Sequence, residues 1–197
     1  MTIHTMGRLN AGWGICGFTS SLYALYNNRP SEQVRLAKGG GTPTMMLAEI
    51  KSFLKILQAE ERNDMLAAIT TFTRSFGGVF AGFTIDDYIA RINDVVNTGA
   101  DVTESRFGIA MPPECVVEYL KQIGGFNGSR IAPLSDKSSE LILGVYDTNA
   151  AVGLHKGLKH YLYQLNGRIH SWGQEFDSVE AAMGAGWDVC YKITIAG

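Results

Sequence analysis

The chain has 197 residues, of which 46% are hydrophobic and 18% charged, and its formal net charge is −2. This size and composition predict one globular unit with a sizeable core. The weak negative charge argues against a nucleic-acid partner, because phosphate binding requires a basic face. The chain contains no uninterrupted run of about 18 apolar residues, so the sequence predicts no membrane span and no membrane partner.

Helical patterns fill the first two-thirds of the chain. Apolar residues recur at helical spacing from Cys16 to about Asn28, and Pro30 is expected to end that helix. Four more helices are predicted, over residues 42–57, 63–76, 84–96 and 112–123. The predicted helix starts are marked by proline, threonine and acidic residues in the first turn, and glycines after the last turn mark helix ends.

Strand patterns fill the last third. A short apolar run over residues 141–146 predicts a buried strand, and residues 159–165 and 168–172 flank Asn166-Gly167, a strong hairpin signal. A short helix over 178–185 and a strand over 187–195 complete the pattern. We expect an α+β fold in a single domain, 1–197, with a helical part over about 10–130 and an antiparallel β part over about 131–197.

Three cysteines are present, Cys16, Cys115 and Cys190. Their odd number and wide spacing argue against a disulfide framework and against a zinc site, so no metal or other cofactor is expected. We interpret Cys115 and Cys190 as buried core residues. Cys16 differs, because three glycines lie within a few residues of it and a helical pattern begins at the cysteine itself. A thiol at a helix N-terminus is expected to have a lowered pKa, and free backbone N–H groups there can bind an oxyanion.

Together, Asn10, Cys16, Phe18 and Ser20 resemble the nucleophile motif of the papain-like cysteine peptidases. In that family a glutamine stands six residues before the nucleophile, and its side chain and the N–H of the cysteine form the oxyanion hole. The resemblance implies the same role for Asn10, which has the same amide on a shorter stem. It also implies a helical lobe carrying Cys16 and an antiparallel β lobe carrying a histidine. Gly17 departs from the pattern, since the family has an aromatic residue there.

His160 is the histidine that the resemblance selects, because the family's histidine begins a strand and a hairpin partner returns beside it. The alternative is a hydrogen-bonded histidine in a half-buried strand. The family has the residue that orients its histidine on the returning strand, sometimes followed by Ser-Trp-Gly. Here His170 stands directly before Ser-Trp-Gly, which suggests His170 for this role. With a two-residue hairpin loop, however, His160 pairs with Gly173 and His170 falls on the opposite face. We therefore rank Gln174 first, His170 second and Asp177 third.

The implied activity is a cysteine peptidase that cleaves peptide bonds of a protein substrate through Cys16 and His160. A glutamine deamidase on the same scaffold and a catalytically inert binding protein are the alternatives. The sequence has neither a secretory signal nor an evident pro-segment, which resembles compact bacterial effector toxins with a papain-like core. That resemblance implies a protein that is cytoplasmic in the producer or is delivered into a target cell by a specialised secretion system, with a neutralising immunity protein as a partner.

Overall fold

The structure is a computed structural model that describes residues 14–39, 43–98 and 107–197, with the backbone alone for residues 36–39 and 98. Within these ranges the chain has eight helices and a six-stranded sheet. The helices are α1 (Cys16–Asn28), α2 (Pro30–Gly39), α3 (Pro43–Ala59), α4 (Asn63–Arg74), α5 (Ile85–Thr98), α6 (Pro113–Gln122), α7 (Leu154–Gly157) and α8 (Val179–Met183). The strands are β1 (Arg130–Ala132), β2 (Glu140–Asp147), β3 (His160–Leu165), β4 (Arg168–Ser171), β5 (Gln174–Phe176) and β6 (Trp187–Thr194).

The predicted α+β fold is confirmed, and every helix and strand predicted from the sequence is present to within a few residues. Four short or polar elements were not predicted, namely α2, β1, α7 and β5. Pro30 does end α1, but it also opens α2, since proline fits the first turn of a helix without losing a needed N–H. None of the helices in the described ranges is long and apolar enough to cross a membrane.

All strand pairs are antiparallel, in the order β1-β6-β2-β3-β4-β5. The predicted hairpin is confirmed: Leu165 pairs with Arg168, and the Asn166-Gly167 loop has positive φ at both residues, 49° and 83°. This is the backbone of a type I′ turn, whose twist matches that of the flanking strands.

A second tight turn follows at Trp172-Gly173, where φ is 47° and 75°. Strand β4 therefore ends at Ser171 and β5 returns beside it, with Ser171 paired to Gln174. The prediction that the strand would continue far enough for His160 to pair with Gly173 is wrong. The physical reason is this second reversal, which the sequence does not mark with a second Asn-Gly or Asp-Gly pair.

The sheet has apolar side chains on both faces. The face toward the helices packs Ile142, Tyr161, Tyr163 and Ile193 into the main core. The opposite face packs Leu141, Leu143, Val145, Leu162 and Ile169 against α8 and its neighbours. The molecule therefore has three layers, with most helices on one side of the sheet and α8 on the other.

Helix α1 lies along strand β3. A 13-residue helix and a six-residue strand both span about 20 Å, so the two can match from end to end. Tyr23 stacks on Tyr163 with ring centroids 5.7 Å apart. Farther along, Asn28 Nδ2 donates to Glu140 Oε1 over 2.6 Å, and Tyr163 Oη donates to the same oxygen over 2.5 Å. This alignment brings Cys16, the first residue of α1, to the start of β3.

Gly17 lies where α1 meets the segment before α6. A Cβ atom at this position would stand 3.0 Å from Met111 Cε, 3.2 Å from Met111 Cβ and 3.5 Å from Val116. Tyr161 Oη donates to Met111 O over 3.0 Å, which fixes that backbone against β3. The close approach explains why glycine follows Cys16, where the resembling family has an aromatic residue.

We predict that Gly17→Val destabilises the fold by about 1–3 kcal/mol, because the added methyl groups must displace Met111 and Val116. Urea unfolding followed by circular dichroism measures the loss. Gly82→Val is the matched control, since a Cβ there meets nothing within 4 Å. Equal midpoints for the two variants would contradict the close packing at Gly17.

Candidate active site

Cys16 occupies the first turn of α1, after Ile15 at the N-cap position. An isoleucine side chain cannot accept a hydrogen bond, so it caps none of the free N–H groups of that turn. Cys16 as a residue is partly exposed, although protein atoms surround its sulfur. The backbone N–H groups of Tyr161, Gly17 and Cys16 itself lie near enough to the sulfur to lower the pKa of the thiol. Tyr161 belongs to β3, so the start of α1 lies close to the start of that strand.

Burial raises the pKa of the Cys16 thiol to about 11. The N–H groups of Tyr161, Gly17 and Cys16 act in the opposite direction, but their effect is smaller. The predicted lowering of the thiol pKa is therefore wrong. Its physical reason is that the N-terminus of α1 lies against β3 and the residue 109–111 segment, where desolvation of the thiolate outweighs the N–H groups.

His160 is held on two sides. The residue is 8% exposed, its Nε2 lies 2.9 Å from Ser171 Oγ, and its ring stacks on Trp172 with centroids 4.5 Å apart and planes 9° from parallel. Burial lowers the pKa of His160 to about 4, so the ring is neutral at pH 7. In the tautomer whose Nε2–H donates to Ser171 Oγ, the lone pair stands on Nδ1; in the other tautomer Nε2 accepts from the hydroxyl group.

Cys16 and His160 line the same cavity, whose volume is about 120 Å³. The rest of its wall is mostly apolar, and its larger side chains are Phe72, Phe76, Phe80, Met111, Leu158 and Trp172. A thiol and a neutral imidazole thus border one small space with little polar surface around them. A thiol and an imidazole are the two groups that nucleophilic catalysis by cysteine uses.

Ser171 makes the contact that was expected of Gln174. Gln174 lies in β5 with an exposed side chain and pairs with Ser171 rather than facing His160. Extending the observed β3–β4 register by one residue sets Ser171 opposite Leu162, on the face that His160 shares. The two side chains are diagonal neighbours across the strands. The alternation of faces along 168–171 was the signal that could have identified Ser171 from the sequence.

The two other candidates for the orienting role lie elsewhere. His170 pairs with Tyr163 on the opposite face from His160, as the hairpin argument predicted, and its ring lies 5.7 Å from that of Tyr23. Asp177 is exposed and forms an ion pair with Arg168. Asn10, the predicted second oxyanion donor, lies outside the described residues.

Trp172 has φ 47°, a conformation that bulky residues rarely adopt and that costs about 1–3 kcal/mol. The strained turn points the indole ring at His160, where the stacking contact forms. Backbone strain of this kind persists only where the surroundings enforce it, and it concentrates at functional sites. Trp172 also lines the cavity with Cys16 and His160, so this turn forms part of the candidate site.

Cys115 and Cys190 are buried, with 1% and 5% exposure, which confirms their interpretation as core residues. In the part of the chain that the structure describes, no three His, Cys, Asp or Glu side chains form a group that could hold a metal ion. Comparison of the chain with models of protein families, with curated proteins and with solved structures found no match.

We predict that stability falls as the pH drops through the acid range because of His160. In the unfolded chain a histidine takes up its proton near pH 6.5, whereas in the fold His160 does so only near pH 4. The unfolded state therefore binds more protons between these values, and about 2 kcal/mol of unfolding free energy is lost between pH 7 and pH 5. Urea unfolding at a series of pH values measures this loss.

The control for that loss is His160→Gln, which should be less stable at pH 7 but lack this part of the pH dependence. His155→Gln controls for the removal of a histidine that lies outside the Ser171–Trp172 contacts. An equally steep loss in His160→Gln would show that other groups cause it.

We also predict that iodoacetamide labels Cys16 faster than Cys115 or Cys190, because only Cys16 is partly exposed. The labelling rate of Cys16 should rise about tenfold per pH unit between pH 7 and 9. Only the thiolate reacts, and its fraction increases by this factor at pH values well below a pKa of about 11. Peptide mass mapping of the three cysteines measures each rate. A Cys16 rate that stays constant from pH 5 to 8 would instead indicate a preformed thiolate–imidazolium pair.

Proposed function

We propose that the chain is a cysteine peptidase with a papain-like arrangement, in which Cys16 is the nucleophile and His160 the base. The observation that carries the proposal is the shared cavity: a helix-terminal cysteine and a buried, neutral histidine border one small space. The two residues are 144 positions apart in the sequence numbering, and the alignment of α1 with β3 sets Cys16 at the end of the strand that begins with His160. Ser171 is the positioning residue for the His160 ring.

The mechanism begins with a neutral pair. As the Cys16 sulfur attacks an amide carbonyl carbon, the thiol proton passes to His160 Nδ1 and a C–S bond forms. The carbonyl oxygen becomes an oxyanion, which the Cys16 backbone N–H at the start of α1 can stabilise. The His160 imidazolium then protonates the leaving amine as the C–N bond breaks. Water hydrolyses the resulting thioester and restores the thiol.

Burial supports general-base catalysis more than a resting ion pair. With the thiol pKa raised and the imidazole pKa lowered, both side chains are neutral near pH 7. Charge then develops only in the transition state, where Ser171 steadies the imidazolium and helix N–H groups face the oxyanion. Trp172 covers one face of the His160 ring and limits the access of water to it.

The proposal includes a role as a bacterial effector, which only the sequence resemblance supports. It comprises a protein substrate in a target cell, delivery by a specialised secretion system and a neutralising protein in the producer. A glutamine deamidase uses the same nucleophile and base, and the two activities differ in whether the leaving amine is part of the main chain or a side-chain ammonia.

We predict that the purified protein creates new N-termini in a cell lysate and that Cys16→Ala abolishes them. His160→Gln should slow their formation by about 10²–10⁴-fold, because proton transfer is lost. Mass spectrometry of labelled N-termini detects the cleavages. Cys115→Ala is the matched control, since this cysteine lies in the core away from the cavity and should leave the cleavages in place.

The same spectra separate the alternatives. Conversion of glutamine to glutamate that depends on Cys16, without new N-termini, would identify a deamidase. A lysate that is identical after treatment with wild type and with folded Cys16→Ala would contradict the enzyme hypothesis and favour an inert binding protein.

A further inference from the structure

The cavity beside Cys16 offers apolar surface almost everywhere except at its catalytic end. Phe72, Phe76 and Phe80, from α4 and the turn after it, form one wall, and Met111 and Leu158 lie among the other lining residues. Such a wall binds hydrocarbon groups by removing them from water.

Two hydroxyl groups in the wall, those of Thr73 and Tyr161, are already hydrogen-bonded within the protein. Thr73 Oγ1 accepts from Ala110 N over 3.0 Å and donates to Ala110 O over 3.5 Å. Tyr161 Oη donates to Met111 O over 3.0 Å. These two hydroxyl groups are therefore occupied, and the apolar side chains that make up most of the wall select for apolar groups.

The volume limits the size of the group that enters. An apolar protein cavity of about 150 Å³ takes up benzene, so a cavity of about 120 Å³ suits a branched aliphatic group or a single phenyl ring. Among the lining residues the one basic side chain with a full positive charge is Lys159. It is exposed and its Nζ lies 5.4 Å from the centroid of the Phe76 ring. A cationic group would lose its hydration and also meet this charge.

We propose that this cavity is the acyl-side pocket, which binds a branched aliphatic or aromatic side chain of the acyl group that is transferred to Cys16. The inference rests on the proposed function and names its substrate class. The acyl group stays bonded to sulfur after the first step, whereas the amine must leave toward solvent. A pocket that adjoins the sulfur and is walled by α4 and the 109–111 segment suits the part that stays.

Two esters with the same leaving group test the pocket, namely p-nitrophenyl acetate and p-nitrophenyl phenylacetate. In each case the sulfur bonds to the acyl carbon, p-nitrophenolate departs with the electron pair of the broken C–O bond, and the thiol proton passes through His160 to solvent. Absorbance follows the phenolate, and intact mass identifies the thioester on Cys16. After division by the rates with free cysteine, phenylacetate should react at least about tenfold faster.

A variant that fills the cavity tests whether the cavity causes the preference for phenylacetate. Ala110→Leu adds a side chain to the cavity wall and should reduce the normalised phenylacetate-to-acetate ratio to about one. Ala182→Leu is the matched control, because Ala182 is also partly buried but packs on the opposite face of the sheet, and it should keep the wild-type ratio. Phe80→Ala, which enlarges the cavity, should shift the preference toward 2-naphthylacetate and remains informative if Ala110→Leu fails to fold.

The outcomes separate the pocket from the catalytic proposal. A normalised ratio near one in wild type, with a thioester on Cys16, would overturn the pocket and leave the nucleophile intact. If neither ester acylates Cys16, the proposed function fails, and non-covalent binding decides about the pocket. In that case the pocket is supported if phenylacetamide raises the melting temperature more than acetamide does and if Ala110→Leu removes this difference. Equal stabilisation by the two amides overturns the pocket.

Discussion

The packing of α1 along β3 is the contact on which the candidate site depends. Tyr23 stacks on Tyr163 in the middle of this contact, and Asn28 binds Glu140 at its far end. Because the helix and the strand have similar lengths and run side by side, fixing the middle and the far end also fixes the near end. There the backbone N–H of Tyr161, directly after His160, lies near enough to the Cys16 sulfur to lower the pKa of the thiol. A shift along this contact would separate the two proposed catalytic groups without unfolding either element.

Burial decides the protonation state of the pair. Each group favours its neutral form because its charged form would lose water, which raises the pKa of Cys16 and lowers that of His160. The neighbours that hold His160, Ser171 and Trp172, are themselves uncharged and so do not reverse the effect of burial. A neutral orienting group suits this arrangement, since a carboxylate at the same place would draw a proton onto the ring. Stability in acid and thiol reactivity in base both follow from the same desolvation.

The second hairpin turn, at Trp172-Gly173, has a strained backbone and positions two of the residues that contact His160. The Trp172 backbone is strained, and the turn that carries this strain also ends β4 at Ser171 and sets the indole on His160. One local reversal thus supplies the hydrogen bond on the ring edge and the stacking contact on the ring face. The cavity lies beyond these contacts, between the site and the aromatic side chains of α4, so its shape follows from how the helical layer meets the sheet.

The sequence alone determined what depends on neighbours along the chain. Apolar spacing predicted the helix that starts at Cys16, and Asn-Gly predicted the hairpin whose register put His170 on the face away from His160. Tertiary structure decided the rest. Ser171, rather than Gln174, holds His160 because a turn without the usual Asn-Gly or Asp-Gly pair reverses the chain, and diagonal contacts appear only once strands are paired. The thiol pKa rises instead of falling because desolvation depends on every element packed around the sulfur, and helix position specifies only one contribution.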